Sequence, residues 1–224
     1  MGALGQAEKQ PPATTAMKAV VDQVEADWVD GRWANTEVGP FLASTILAPR
    51  GRVDKGIAIK VGDKAQATVC FNTELLGYNA AWTGGFLNMK ANRYGLTSWP
   101  DPKGDMTFVN GNAVGWAHES GWNDPRANKR GPLPRHWAKY RGLYRHGKRV
   151  ALHYTVGDAT ILESPWAGEV GGQPFLSRTL EIGAAGKSLS SLVASDPKMA
   201  ATLVDSTTAK LTDDSKAIWV RALG

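Results

Sequence analysis

The histidines have the clearest capacity for chemistry in this chain, and three of the four lie between Gly131 and Glu163. An imidazole can serve as general base to a hydroxyl or thiol nucleophile, or as a metal ligand. None of them stands in a nucleophile motif such as G-x-S-x-G. Two imidazoles on neighbouring strands, without a spaced carboxylate, do not define a metal site. The sequence therefore assigns no catalytic residue and predicts no metal at His118, His136, His146 or His153.

Carbohydrate chemistry is the enzymatic alternative that the residue types leave open. His136 or His153 would act as general acid or base, and Asp124 or Glu119 would supply the carboxylate. Such a pair needs a cleft in which the two groups converge. Phosphate-binding glycine loops of the usual spacing are absent, which argues against a nucleotide cofactor.

Aromatic rings and arginines are concentrated in the same part of the chain. Flat rings stack on sugar faces or on guanidinium planes, and arginine forms paired hydrogen bonds with carboxylate or sulfate. The same rings could instead fill space beneath long loops, where they would be buried. Both interpretations stay open for the candidate contact residues: Trp116, Trp122, Arg135, His136, Trp137, Tyr140, Arg141, Tyr144 and His146.

Positive charge is local. The segment from Pro125 to Gly157 contains nine Lys and Arg residues and no Asp or Glu, whereas the whole chain carries +5. The rest of the chain is therefore net negative. A local basic segment attracts an anionic partner, such as an acidic glycan, nucleic acid, phospholipid or acidic protein, or forms a solvated surface.

Strands and turns must position these residues. The chain has 25 Gly, 12 Pro and 9 Trp in 224 residues, a composition typical of short strands joined by many turns. Apolar alternation predicts a hairpin from Gly56 to Phe71. It also predicts a meander in which Val150, Leu152, Tyr154 and Val156 share one face. "PFLSRTLEIG" and "KAIWVRAL" are further strands, and "GWAHESGWNDPRANKRGPLPRHW" is an extended loop that an Asp124–Arg126 ion pair could lock.

Three regions follow from these patterns. Residues 1–13 form a flexible lead, residues 14–36 an amphipathic helix and linker, and residues 37–224 a single β-rich domain. The helix is predicted because Met17, Val20, Val21, Val24 and Trp28 recur at helical spacing. The predicted fold class is mainly β: an antiparallel β-sandwich with long ordered loops and one N-terminal amphipathic helix.

Cysteine usage and hydropathy set further limits. Cys70 is the only cysteine, so the chain cannot form an intrachain disulfide or attach haem through cysteines. No apolar run approaches the roughly 18 residues of a membrane-spanning helix. The first residues, "MGALGQAEKQPP", lack the apolar core of a secretory signal.

Several segments together resemble a bacterial domain of unknown function, over roughly Val38 to Gly183: "VGPFLASTIL", "KGIAIKVG", "ATVCFNTELLGYNAAWTGGF", "GWNDPR", "GPLPRHWAKYRGLYRHGKRVALHYTVGDATILESP" and "LSRTLEIG". That domain is found near the N-terminus of large exported proteins, which often also carry a propeller-like dehydrogenase region and a c-type cytochrome domain. The resemblance implies a periplasmic or extracellular location. The chain departs from that arrangement because it contains neither a CxxCH motif nor a propeller-length region.

The resulting prediction is a non-catalytic interaction module or subunit of an exported redox or glycan-processing assembly. It would contact a protein partner, such as a c-type cytochrome or a larger complex, or a polysaccharide, through the basic, aromatic-rich loop and hairpin. No cofactor is expected on this chain, and any haem would belong to a partner chain or a further domain. The exported location argues against nucleic acid. The alternative is a carbohydrate-active enzyme or glycan-binding domain with a cleft of His, carboxylate and Trp.

Overall fold

The computed structural model describes residues 37–89, 99–119 and 121–224. Within these residues the protein is mainly β, with antiparallel sheets and no helix. The predicted flexible lead and amphipathic helix lie outside the described residues. No helix in the described part of the chain has the length and apolarity needed to span a bilayer.

The first sheet has five strands in the order β1-β2-β3-β4-β7. Between β4 and β7, two-residue strands β5 (Leu87–Asn88) and β6 (Asp101–Pro102) pair with each other. The predicted hairpin is confirmed as β2 and β3, which pair antiparallel with Ile57 opposite Phe71. The five strands are β1 (Phe41–Ala48), β2 (Gly51–Val61), β3 (Ala67–Asn72), β4 (Gly77–Thr83) and β7 (Asp105–Val109).

Both faces of strand β3 are covered. All six residues of β3 are buried. Its polar side chains find partners in the covering segments: Thr68 Oγ1 donates to the Gly85 carbonyl over 3.1 Å, and Asn72 Nδ2 donates to Asn112 Oδ1 over 3.3 Å. Loops from outside the hairpin thus remove the second face from water, which local alternation does not reveal.

The second sheet is the predicted meander, extended by one strand to the order β11-β10-β9-β8. Alternate residues of β9 are buried, as predicted, and these are Val150, Leu152, Tyr154 and Val156. A register shift between Tyr140 and Gly142 leaves Arg141 without a paired residue. The strands are β8 (Ala138–His146), β9 (Arg149–Val156), β10 (Ala159–Val170) and β11 (Gln173–Ile182).

One apolar core contains side chains of both larger sheets. Phe71 of the first sheet lies 5.9 Å, centroid to centroid, from Tyr154 of the second. Ile59 and Ile161, one from each sheet, are also fully buried there. Burial of a side chain of this size contributes about 1.5–3 kcal/mol, so this shared core provides the rigid support for the outward surfaces.

A third sheet of three short strands follows near the C-terminus: β12 (Ala200–Leu203), β13 (Thr208–Thr212) and β14 (Ala217–Arg221). The predicted strand in "KAIWVRAL" is confirmed as β14. The other two strands were not predicted, because they are short and their apolar residues do not alternate over a long run. Leu211 of β13 is buried, whereas Leu203 and Trp219 are exposed.

The predicted long loop joins β7 to β8 and is irregular except for two isolated bridges, Trp116 to Ser191 and His118 to Gly121. Gly115 lies where this loop meets the β3–β4 turn. Its N–H donates to the Leu75 carbonyl over 2.8 Å, and its own carbonyl accepts from Leu192 N–H over 2.9 Å. One backbone position therefore joins three distant parts of the chain.

Candidate binding surface

The outward face of the second sheet collects rings and cations from separate strands. Residues directly opposite each other on paired strands share a face, and the inward face is marked by the buried residues of β9. We call the opposite side the meander face and define it by Tyr144, His146, Arg149, His153, Trp166 and Phe175. His146 is opposite Arg149, and Phe175 is opposite Gly168.

The rings on this face lie against neighbouring side chains. Tyr144 and His153 are stacked, with centroids 5.9 Å apart and planes 27° from parallel, although Tyr144 remains 59% exposed. The Arg149 guanidinium carbon lies 3.9 Å from the centroid of the Trp166 ring. Phe175 lies over Gly168, because a methyl group on that glycine would be 2.6 Å from Phe175 Cζ. The ring geometry is therefore set in advance of any contact with a ligand.

Short hydroxyl side chains lie between and beside these rings. Thr155 is opposite Thr160, Ser164 is opposite Thr179, and Ser177 is opposite Trp166. The Ser164 hydroxyl already donates to the Val150 carbonyl over 3.2 Å. A carboxylate, Glu181, lies on β11 opposite Leu162. The meander face thus combines rings, hydroxyls and the Arg149 guanidinium, with a carboxylate on β11.

Two of the nine cations of the basic segment are held by Asp124. Arg126 and Lys129 belong to the loop: Arg126 Nε and Nη2 each donate to an Asp124 carboxylate oxygen over 2.9 Å, and Lys129 Nζ donates to the Asp124 carbonyl over 2.7 Å. The predicted Asp124–Arg126 pair is therefore confirmed. The Arg126 hydrogen bonds hold the pKa of the Asp124 carboxyl below its usual value, although partial burial opposes them.

Two cations of the β8–β9 hairpin donate hydrogen bonds to carbonyl groups. Arg145 Nε donates to the Gly147 carbonyl over 3.1 Å, and Lys148 Nζ donates to the Asp63 carbonyl over 2.8 Å. A carbonyl group carries no formal charge, so the hydrogen bond that it accepts does not neutralise the cation. Among the residues that the structure describes, no ion pair involves Arg135, Arg141 or Arg149. The hairpin of β8 and β9 therefore presents positive charge to solvent.

Two of the predicted contact residues lie in the core instead. Trp116 is 2% exposed and Trp137 is 5% exposed, and Trp137 Nε1 donates to the Trp116 carbonyl over 3.2 Å. The space-filling interpretation is correct for these two rings, because the long loop has no regular ladder and needs apolar anchors. Tyr140 is half-buried and packs against the same core.

The other predicted contact residues are exposed: Trp122, Arg135, His136, Arg141, Tyr144 and His146. The structure brings Tyr144 and His146 together on the meander face. His136 lies elsewhere, with its ring 5.7 Å from that of His118.

The proposed acid–base pairs are not assembled around Asp124. Its carboxylate oxygens accept from Arg126, while the described contacts of His136 and His153 are with the rings of His118 and Tyr144. Within residues 37–89, 99–119 and 121–224, no three side chains of His, Cys, Asp or Glu come together in a way that could hold a metal ion.

A buried polar cluster was missed by the sequence analysis. Glu163 is fully buried, its Oε2 accepts from the Tyr154 hydroxyl over 2.5 Å, and its Oε1 accepts from Arg178 Nε. Arg178 also donates to the Leu192 carbonyl over 2.8 Å and lies 4.9 Å from the Tyr78 ring centroid. Burial, reinforced by the Glu163 charge, holds the pKa of Tyr154 far above its usual value, so its hydroxyl stays a donor.

The signal for this cluster was present in "ATILES". Glu163 lies two residues after Ile161 on the same strand, so both side chains are on the same face of the sheet. The meander pattern therefore places a carboxylate on the buried face. A buried carboxylate requires a cationic or hydroxyl partner. The cluster connects β9, β10, β11 and the segment around Leu192, and we assign it a structural role.

Comparison with known protein families gives a match over part of the chain. Residues 69–163 match the family model of a domain of unknown function, DUF6797. The predicted resemblance to a domain of unknown function is confirmed over these residues, which are less than half of the chain. The DUF6797 match runs from β3 into β10 and contains the long loop and the β8–β9 hairpin, whereas Trp166 and Phe175 lie beyond it. No curated protein and no solved structure matches the chain.

Proposed function

We propose that this chain is a non-catalytic binding module whose contact surface is the meander face together with the adjoining cations of the β8–β9 hairpin. The observation that carries the proposal is that the Arg149 guanidinium, which has no ion pair among the described residues, shares one face of the sheet with exposed rings, while the other face is buried in the core. Binding sites often present charged groups and aromatic rings to solvent on a sheet that is packed against the core.

The same proposal gives the module a β-sandwich architecture, in which the inward faces of the two larger sheets pack against each other. Support comes from the shared apolar core and from the contact between Phe71 and Tyr154. In such an architecture the outward face of the second sheet is a broad, rigid platform.

The setting that we propose is an exported assembly, periplasmic or extracellular, that carries out redox or glycan-processing chemistry. The partner would be a protein, such as a c-type cytochrome or a larger complex, or a polysaccharide. The resemblance of the chain to a domain found beside dehydrogenase and cytochrome modules supports this setting. Any haem would then be bound by the partner, and this chain would contribute binding alone.

Site-specific photocrosslinking in the source organism tests whether the meander face is the contact surface. A photoreactive amino acid at Tyr144 should give a discrete crosslinked product, identified by mass spectrometry. The matched control carries the same amino acid at Trp219, which is also aromatic and exposed but lies on β14. Equal labelling from both positions would contradict the proposal, as would the absence of any product from Tyr144, whether with protein or with polysaccharide.

A further inference from the structure

We infer that the ligand of the meander face is an acidic polysaccharide, bound across strands β8, β9 and β10 with its carboxylates on arginine. The inference rests on the proposed function, because it names the ligand class of the same surface. Tyr144 and Trp166 lie on strands separated by one other strand, so the two strands are roughly 10 Å apart across the sheet. That separation suits an extended chain of sugar units better than a single small molecule.

The mixture of rings and hydroxyls on the meander face indicates a ligand built from sugar units. The apolar C–H face of a pyranose stacks on flat rings, and Tyr144 and Phe175 are both exposed on this face. Sugar hydroxyls donate and accept hydrogen bonds, as do the hydroxyls of Thr155, Thr160 and Thr179. Leu162 and Val170 are the larger aliphatic residues on this side of the sheet, and they lie opposite Glu181 and Gln173. The face therefore mixes polar and apolar residues, unlike the apolar centre of a protein interface.

The presence of carboxylates on the ligand is inferred from Arg149. Its guanidinium carbon lies 3.9 Å from the centroid of the Trp166 ring, and this contact limits the movement of the side chain. A guanidinium held in this way pairs with a carboxylate through two parallel hydrogen bonds, at a smaller entropic cost than a freely rotating side chain. Arg141, left unpaired by the register shift in β8, and His146, opposite Arg149, extend the cationic strip.

Nucleic acid and acidic proteins would also respond to this charge, but they fit the surface less well. Binding of a single nucleic acid strand relies on a groove that follows the backbone and on rings with free faces. Here one face of the Trp166 ring is already occupied by Arg149. An acidic protein surface would pair with the cations of the meander face but would not require its hydroxyls and rings. Both remain outcomes of the test.

Affinity electrophoresis and calorimetry with polygalacturonate, alginate and heparin test the inference. Fully methyl-esterified polygalacturonate is the matched neutral ligand, because it keeps the sugar backbone and loses the charge. Arg149→Gln should weaken binding of the acidic polymer about tenfold, the size expected for one hydrogen bond between charged groups. Tyr144→Ala should weaken it by a similar factor, about tenfold, because a ring that stacks on a sugar is lost. Arg221→Gln, which removes an exposed cation on β14, should leave the affinity unchanged.

The outcomes separate the inference from the proposed function. Equal binding of acidic and esterified polymer would overturn the acidic specificity and keep the binding face. Failure of all three acidic polymers, with a discrete protein crosslink at Tyr144, would overturn the polysaccharide and keep the proposed function. Failure of both experiments would overturn both statements. Tighter binding of oligo(dT) than of every acidic polymer would replace the polysaccharide by nucleic acid.

Discussion

Glu163 shows how a single residue can hold together a sheet that is otherwise apolar inside. Its carboxylate has no contact with solvent and is satisfied by Tyr154 and Arg178. The Glu163–Arg178 ion pair adds little to the free energy of unfolding compared with two apolar residues in the same places. Each charged group is nevertheless compensated only while the other is present. Removal of one partner leaves a buried charge without compensation.

We predict that Glu163→Gln lowers the free energy of unfolding by about 3 kcal/mol, near the lower end for a broken buried pair. The lower end applies because Arg178 still donates to Leu192 and Ser191. Urea unfolding followed by fluorescence measures the change. Glu181→Gln, an exposed carboxylate on β11, is the control and should shift the midpoint very little. Equal effects of the two substitutions would show that the buried pair contributes nothing.

Cys70 gives a second prediction at the scale of one residue. Burial raises the pKa of its thiol to about 12, whereas a thiol in the unfolded chain has a pKa of about 8.5. The thiol should therefore be inert to a thiol reagent at pH 8 in the native protein and should react fully in denaturant. Reaction of the native protein at the same rate as the unfolded chain would contradict its burial.

The same thiol makes stability depend on alkaline pH. Below about pH 8.5 both states are protonated; above it the unfolded state loses the proton first, so the stability contribution falls as pH rises toward about 12. In this window Cys70 contributes a slope of about 1.4 kcal/mol per pH unit. Unfolding measured across the window should give a shallower decline for Cys70→Ala, and parallel curves would contradict the argument.

At the scale of elements, the long loop between β7 and β8 is held in shape by Arg126. Besides Asp124, its guanidinium donates to the Gly131 carbonyl and lies 3.5 Å from a Glu74 carboxylate oxygen, and its side chain is 7% exposed. The Leu133 N–H also donates to the Glu74 carbonyl over 3.1 Å. The loop is thereby fastened to the turn between β3 and β4.

We predict that Arg126→Gln opens this loop and costs about 2 kcal/mol of stability, the range for hydrogen bonds to a charged group. Limited trypsin digestion should then cut at Lys129 and Arg130 much faster than in the unaltered protein. Arg135→Gln removes an exposed arginine from the same loop and should leave the digestion rate unchanged. A resistant Arg126→Gln protein would mean that other contacts hold the loop.

At the scale of the whole molecule, Gly115 joins the loop, the β3–β4 turn and the segment around Leu192. A methyl group at this position would lie 1.8 Å from the Leu76 carbonyl oxygen, so the backbone would have to move. No flexible side chain is available to give way. The three parts of the chain can meet here only when the residue has no side chain.

We predict that Gly115→Ala costs about 4 kcal/mol or more, a loss reserved for severe structural conflicts. Thermal unfolding measures it. Gly147→Ala is the matched control: its φ of +58° is unfavourable for alanine, at about 1–2 kcal/mol, but no atom lies within 4 Å of the added methyl group. Midpoints that fall equally for the two proteins would show that the close approach at Gly115 is not needed.

Local patterns determined much of the second sheet. Alternation in β9 identified its buried residues, and glycine turns marked the hairpins, because strand periodicity and turn geometry depend on neighbouring residues. Charge counting located the basic segment, and the short spacing of Asp124 and Arg126 anticipated their pair. These properties are carried by residues close together in the chain, and the sequence alone was sufficient for them.

Only the tertiary structure decided which rings are buried and which cations are free. Trp116, Trp122 and Trp137 all belong to the segment that the sequence predicted as one long loop. Trp116 and Trp137 are nevertheless buried in the core, whereas Trp122 is exposed. Trp166 and Arg149 meet because β9 and β10 are neighbours, and Glu163 finds Arg178 on the next strand. Burial and partnership are set by which strands pair and which segments cover a face, and these contacts join residues far apart in the chain.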